Sequence, residues 1–251
     1  MSEQAISQRR VLAITGADRL SFLQGLVTND VDKLKDGAVY AALLSPQGKY
    51  LADFFLVAEG ERVLLDVAET LADDLVKRLS MYRLRADVQI TSTNLAVSRG
   101  TGTAPEGALS DPRHDALGWR LYAETALPQD ETDWDALRVA HCVPESGAEL
   151  RPNESYILEA GFERLNGVDF RKGCYVGQEV TARMKHKTEL KKGFATVDIT
   201  GDVPVGTGVE ADGKPVGQIF TQSGGRAIAY LRFDRAGNEM QAAGAQVTWR
   251  G

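Results

Sequence analysis

Hydrophobic positions in the first hundred residues switch between period two and a 3-4 spacing, and each switch marks an element. Residues 11–14 read as a short strand. Asp18 stands as the N-cap of a helix whose apolar face is Phe22, Leu23 and Leu26. Residues 40–44 and 50–58 predict a hairpin around the turn residues Ser45-Pro46-Gln47-Gly48. Glu59-Gly60-Glu61 turns the chain into a strand at 63–67, and Leu71, Leu75, Val76 and Leu79 form one side of a second helix. Val88 and Ile90 close the set with another strand. This order predicts an α+β unit with helices against one face of a mostly antiparallel sheet.

Residues 101–106 (TGTAPE) carry Gly and Pro among polar neighbours and read as a linker. A strand follows at 117–122, then a helix bearing Trp134, Leu137, Arg138 and His141. After Gly193 the pattern changes. Short strands at 195–199, 216–220, 227–231 and 246–249 alternate with turns at Gly206, Gly208, Gly213 and Gly224-Gly225, which predicts a small C-terminal β-barrel.

Composition adds bounds. The 251 residues suffice for one large or two to three small domains. Residues 1–10 (MSEQAISQRR) lack an apolar run after their charges, so no secretory signal is expected, and no run of eighteen apolar residues predicts a membrane span. Two cysteines, Cys142 and Cys174, fit a reducing compartment, and the expectation is a cytoplasmic protein. A net charge of -6 argues against a nucleic-acid coat and against direct nucleic-acid binding. Residues 171–192 nevertheless carry net +5, leaving -11 for the rest, a reversal that suits an anionic ligand or an ordinary solvated basic stretch. RNA contact through Lys185 to Lys192 is a weaker reading of the same charges.

The chemistry concentrates in Lys172-Gly173-Cys174-Tyr175-Val176-Gly177-Gln178-Glu179. Two glycines bracket the thiol and let the backbone turn sharply near a ligand. Neighbouring cations favour thiolate, so Cys174 is the candidate reactive thiol. Cysteine is equally often a small buried hydrophobe. Glu179 and Arg183, four apart, also fit a plain helix-surface pair. His114, His141 and His186 are scattered, and no nucleotide loop or zinc-protease motif is present. Two cysteines cannot supply the four thiolates of a conventional cluster, so no metal site is expected in the chain alone. Cys174 could serve only as one ligand of a shared cluster.

This segment resembles the K-G-C-Y-x-G-Q-E signature of the YgfZ family, which includes mitochondrial iron–sulfur assembly proteins. FLQGLVTNDV (22–31), SPQGKYLADFFLV (45–57), YRLRADV (82–88) and GVDF (167–170) are similar to the family as well. The resemblance implies the fold of the glycine-cleavage T-protein: three subdomains around a central channel, here 1–100 (ferredoxin-like α+β), 101–192 (α+β, with the signature) and 193–251 (β-barrel). It implies a tetrahydrofolate or other folate ligand, with Lys172, Gly173, Tyr175, Gly177, Gln178, Glu179, Arg183, Thr28 and Asn29 as cofactor-binding candidates. Lys172 and Arg183 would reach the glutamate tail. It further implies support of [4Fe-4S] cluster assembly or repair with A-type iron–sulfur carrier proteins, and an indirect effect on radical-SAM tRNA modification. The T-protein carries paired aspartates in its hairpin, whereas this chain has Ala52-Asp53. Binding without aminomethyl transfer is therefore expected, and Asp53 would be catalytic only in the alternative, a folate-dependent one-carbon transferase.

Overall fold

The computed structural model describes residues 9–128, 131–187 and 189–251. The reading of residues 1–8 as lacking a leader falls outside them, as do Thr188 and the Lys187 side chain of the basic stretch. The chain divides into two units, Met1–Thr132 with Glu163–Gln178, and Asp133–Phe162 with Glu179–Gly251. Residues 101–192 are thus shared between the units.

In the first unit, β1 (Arg9–Thr15) leads into α1 (Arg19–Gln24), then β2 (Val39–Leu44), β3 (Tyr50–Glu59), β4 (Arg62–Ala68), α2 (Glu69–Arg83) and β5 (Gln89–Ser92). The five strands pair antiparallel in the order β2-β3-β4-β1-β5. Asp18 precedes α1 without capping it. Its carboxylate accepts instead from Asp87 N at 2.8 Å. Ala52, Phe54 and Leu56 join Leu75 and Leu79 of α2 in the main core, while Asp53, Phe55 and Val57 point to the opposite face. That second face is also covered, which is why the first eight residues of β3 are all buried.

The cover is a small sheet of β6 (Ala96–Gly100), β7 (Leu109–Ser110) and β8 (Trp119–Ala123), ordered β6-β8-β7. The polar segment 101–106 runs between β6 and β7, the two outer strands of this sheet, and lies within the first unit. Between the two sheets lies a buried charged layer. Arg9, Arg113 and Arg120 stand over the Phe55 ring at 5.6, 4.9 and 3.9 Å from its centroid. Asp66 takes Arg9 at 2.6 Å and Arg120 at 2.5 Å, and Asp111 takes Arg113 at 2.8 Å. Burial opposes the charge on Asp111, but Arg113 and Arg120 outweigh it and hold the carboxyl down at about 2. Asp66 is lowered in the same manner, with Arg9 and Arg120 overcoming burial.

A carboxyl depressed on folding stabilises the fold above its ordinary value of 3.8, and that contribution disappears as pH falls through about 2. We expect denaturant-unfolding stability to drop by about 2 kcal/mol between pH 4 and 2 from Asp111 alone. Equal stability at the two ends would show that the arginines do not act on it.

In the second unit, α3 (Trp134–His141) starts at Asp133, whose carboxylate caps Ala136 N at 2.9 Å. It ends at Cys142, which takes φ +48°. Then come α4 (Gln178–Lys187), β9 (Lys192–Ile199), β10 (Gly208–Ala211), β11 (Lys214–Ser223), β12 (Arg226–Arg232), β13 (Met240–Ala242) and β14 (Ala245–Thr248). The strands close a six-stranded barrel, β10-β11-β12-β9-β14-β13. β10 and β13 are too short to have produced a sequence signal. Arg138 ties α3 to the barrel, donating to Glu149 Oε2 at 2.8 Å and Thr221 Oγ1 at 2.8 Å.

Candidate functional site

The signature segment is anchored by backbone chemistry. An edge strand such as β2 presents unpaired main-chain groups that must be covered, and residues 27–29 cover it. Val27 bridges to Leu43, Thr28 N donates to Ala42 O at 3.0 Å, and Ala42 N donates to Thr28 Oγ1 at 2.9 Å. Asn29 Nδ2 donates to Tyr40 O at 2.8 Å and to Asn166 O at 2.7 Å. The Thr28 hydroxyl donates to Gly167 O at 2.7 Å, and Asp169 N donates to Thr28 O at 3.0 Å.

Lys172 locks this clasp. Its Nζ donates to Gln24 O at 2.8 Å, Val27 O at 2.5 Å and Asn29 O at 3.0 Å, and sits 5.2 Å from the Tyr175 ring centroid. Burial pushes its amine down to about 8, with Asp30 and Asp169 pulling the other way. All three donors of the ammonium are engaged. Lys172 is therefore not the free cation that a glutamate tail would need, and Thr28 and Asn29 act as braces. The geometry gives all three a structural role in this clasp.

The clasp displays Cys174. Of the two cysteines it is the exposed one, between exposed Gly173 and buried Tyr175. A Cβ on Gly173 would meet nothing within 4 Å. Gly177 is the opposite case. At φ +82° it lies against the β2–β3 turn, and a Cβ there would stand 2.6 Å from Ser45 O and 2.9 Å from Leu44 Cβ. Val176 packs on the main core. Gln178 opens α4, its amide donating to Tyr175 O at 3.2 Å. Glu179 and Arg183 make a 2.8 Å pair on the exposed face of α4, so the plain helix-surface reading holds for them. Asp53 is buried on β3 and accepts from Tyr40 at 3.0 Å and Tyr50 at 2.6 Å. Its carboxylate serves two tyrosines in the layer between the sheets.

A second feature escaped the sequence reading. The second unit holds a cleft of about 190 Å³ whose lining includes Arg151, Tyr156, Glu159, Phe194, Phe220 and Tyr230. Phe194 meets Phe220 and Tyr230 edge-on, at 5.5 and 5.3 Å between centroids. Tyr230 donates to Glu159 Oε2 at 2.7 Å, and burial with that bond raises the tyrosine pKa. Arg151 stands 5.6 Å over the Phe220 ring. Nothing in the linear spacing of these residues marks a site, because three of the elements that meet here are barrel strands, β9, β11 and β12.

The architecture is that of the aminomethyltransferase fold. The structure aligns with the glycine cleavage system aminomethyltransferase T from Bartonella henselae at TM-score 0.75, covering 96% of this chain and 82% of that one at 14% identity, a likeness of fold. The description "CAF17, C-terminal beta-barrel domain" matches residues 191–251. Over most of its length the chain is similar to the mitochondrial iron–sulfur cluster assembly factor IBA57 of Mus musculus, 31% identical over 89% of this chain and 75% of the relative. The Homo sapiens protein of that name is 30% identical with the same coverage. The chain belongs to the IBA57 family of iron–sulfur cluster assembly factors.

A homologue of that name from Mycosarcoma maydis is 32% identical over 74% of this chain, which spans about half of that relative's length (54%). These relatives carry mitochondrial names, which corrects the cytoplasmic expectation. Two free cysteines fit any reducing compartment and never distinguished the cytosol from another. No helix among the described residues is long and apolar enough to cross a membrane.

Proposed function

We propose that this chain is a folate-binding accessory factor in [4Fe-4S] cluster assembly or repair that offers the Cys174 thiol to an A-type carrier protein or to its cluster. The observation that carries this reading is the exposure of Cys174 on a loop fixed by the Lys172 clasp. Among the described residues no three His, Cys, Asp or Glu side chains gather as a metal site, so a cluster contact needs cysteines from the partner. Loss of the protein would then reach radical-SAM tRNA-modifying enzymes only through their clusters. In cells lacking the protein, wild type should restore cluster-dependent enzyme activity and Cys174→Ala should not. Full restoration by the alanine variant would remove the thiol from the mechanism.

The cleft of the second unit suits the folate. Its aromatic walls match a flat pterin ring. Glu159 has one oxygen without a hydrogen bond among the described residues, able to accept from the ring's N–H and amino donors. Arg151 supplies a cation for the anionic tail, the role expected of Lys172 and Arg183. Glu159→Gln should weaken tetrahydrofolate binding in calorimetry by about tenfold or more, the worth of one charge-assisted hydrogen bond. Arg183→Ala, on its exposed helix pair, should leave the affinity unchanged. Equal affinities for wild type and Glu159→Gln would move the folate elsewhere. The one-carbon transferase reading gains no support, since Asp53 is enclosed by Tyr40 and Tyr50.

A further inference from the structure

The C-terminal end of α2 presents side chains that folding would ordinarily cover. Met81 is 76% exposed, Leu84 88% and Tyr82 38%. They belong to the stretch 78–86 (RLSMYRLRA), which holds Arg78, Arg83 and Arg85 and no acid. No ion pair engages these three arginines among the described residues. The next acid, Asp87, is committed to the Ala17 amide at 3.1 Å. In a chain of net charge -6, this is a local basic and apolar surface, with Asp74 and Asp87 at its two ends in the chain.

Leu84 stands at the centre in a strained conformation, φ +45° and ψ -106°, where a β-carbon crowds the backbone. Arg83 donates to Val88 O at 3.4 Å across the same turn. Strain that holds a leucine out into water gives the isolated fold nothing; it gives a fixed apolar knob with Arg83 and Arg85 as its chain neighbours. Such a surface complements an acidic protein face with an apolar centre. It does not suit a membrane, because the remaining apolar residues of α2 (Leu71, Ala72, Leu75, Val76 and Leu79) pack on the core, and one turn offers too little area for interfacial burial.

We propose that Met81, Tyr82 and Leu84, with Arg83 and Arg85, form the docking surface for the protein partner in cluster assembly, whose matching face is acidic around an apolar pocket. This inference rests on the assembly reading above. The test is interferometry between the full-length protein and a purified A-type carrier at low and high salt. Leu84→Asp should weaken binding by about tenfold or more, as for a central interface residue. The double variant Arg83→Glu/Arg85→Glu should weaken it and flatten its salt dependence. Lys214→Glu, a single charge reversal in the barrel, should leave it unchanged. Thermal melts should show all variants folded.

A wild-type chain that binds the carrier no better than Leu84→Asp, when both bind, overturns the docking surface and leaves the assembly reading standing. A wild type that fails to bind the carrier overturns both. Binding to vesicles of equimolar phosphatidylserine and phosphatidylcholine that disappears in Leu84→Asp would assign the surface to a membrane and overturn the protein partner.

Discussion

Gly177→Ala is expected to cost the first unit about 2–5 kcal/mol, combining the penalty of a positive φ with overpacking against main chain. The added methyl would stand 2.6 Å from Ser45 O and 2.9 Å from Leu44 Cβ, and neither atom can move without opening the β2–β3 turn. That turn is itself closed by Gly48 N to Ser45 O at 2.8 Å and Ser45 N to Lys49 O at 2.8 Å. Gly173→Ala, four residues earlier and with open space around it, should lie within a few tenths of a kcal/mol of wild type. Urea unfolding of the two variants checks this directly. If both glycines prove equally tolerant, the signature does not pack on the hairpin. The two glycines of one motif thus differ: the second is required by contact, while a Cβ at the first would stand in open space.

Lys172→Met should destabilise the same unit by roughly 3 kcal/mol, because two buried carbonyls and one part-buried one lose a charged donor together. The loss is moderated by relief of the desolvation that lowers the amine's pKa to about 8. Arginine should not rescue it, since a planar fork cannot reproduce a point donor aimed at Gln24, Val27 and Asn29. Hydrogen exchange provides the second readout. Amides of residues 27–29 and 42 should lose protection in Lys172→Met, whereas those of the barrel should not. Unchanged protection at Thr28 and Ala42 would mean that the clasp holds without its cation. A ligand-contact role for Lys172 predicts the reverse pattern, with normal stability and weakened folate binding.

Most strands were legible in the sequence because their signal is local. Ser45-Pro46-Gln47-Gly48 between apolar runs dictates a hairpin whatever surrounds it, and the glycine-punctuated strands after Gly193 dictate a barrel. The same local reading misjudged Asp18, whose carboxylate finds Asp87 rather than its own helix. It also misjudged the 101–106 segment, whose polar composition is that of a linker although β6 and β8 pair across it. Asp53 was visible as a lone carboxylate in an apolar strand, but its two tyrosine partners lie on β2 and at the start of β3, and only the folded register aligns them.

What the amino-acid order settled by itself is most of the longer strands and helices, the exceptional charge of residues 171–192 and the single motif that frames Cys174. Periodicity, turn chemistry and composition act over a few residues and need no tertiary context. What only the tertiary structure decided is the use of each polar group. It made Lys172, Thr28 and Asn29 the brace of an edge strand, left Cys174 in solvent, and assembled Glu159, Phe194 and Tyr230 into a cleft. Hydrogen-bond partners are chosen by proximity in space, and residues 24 and 172 become neighbours only when the chain has folded.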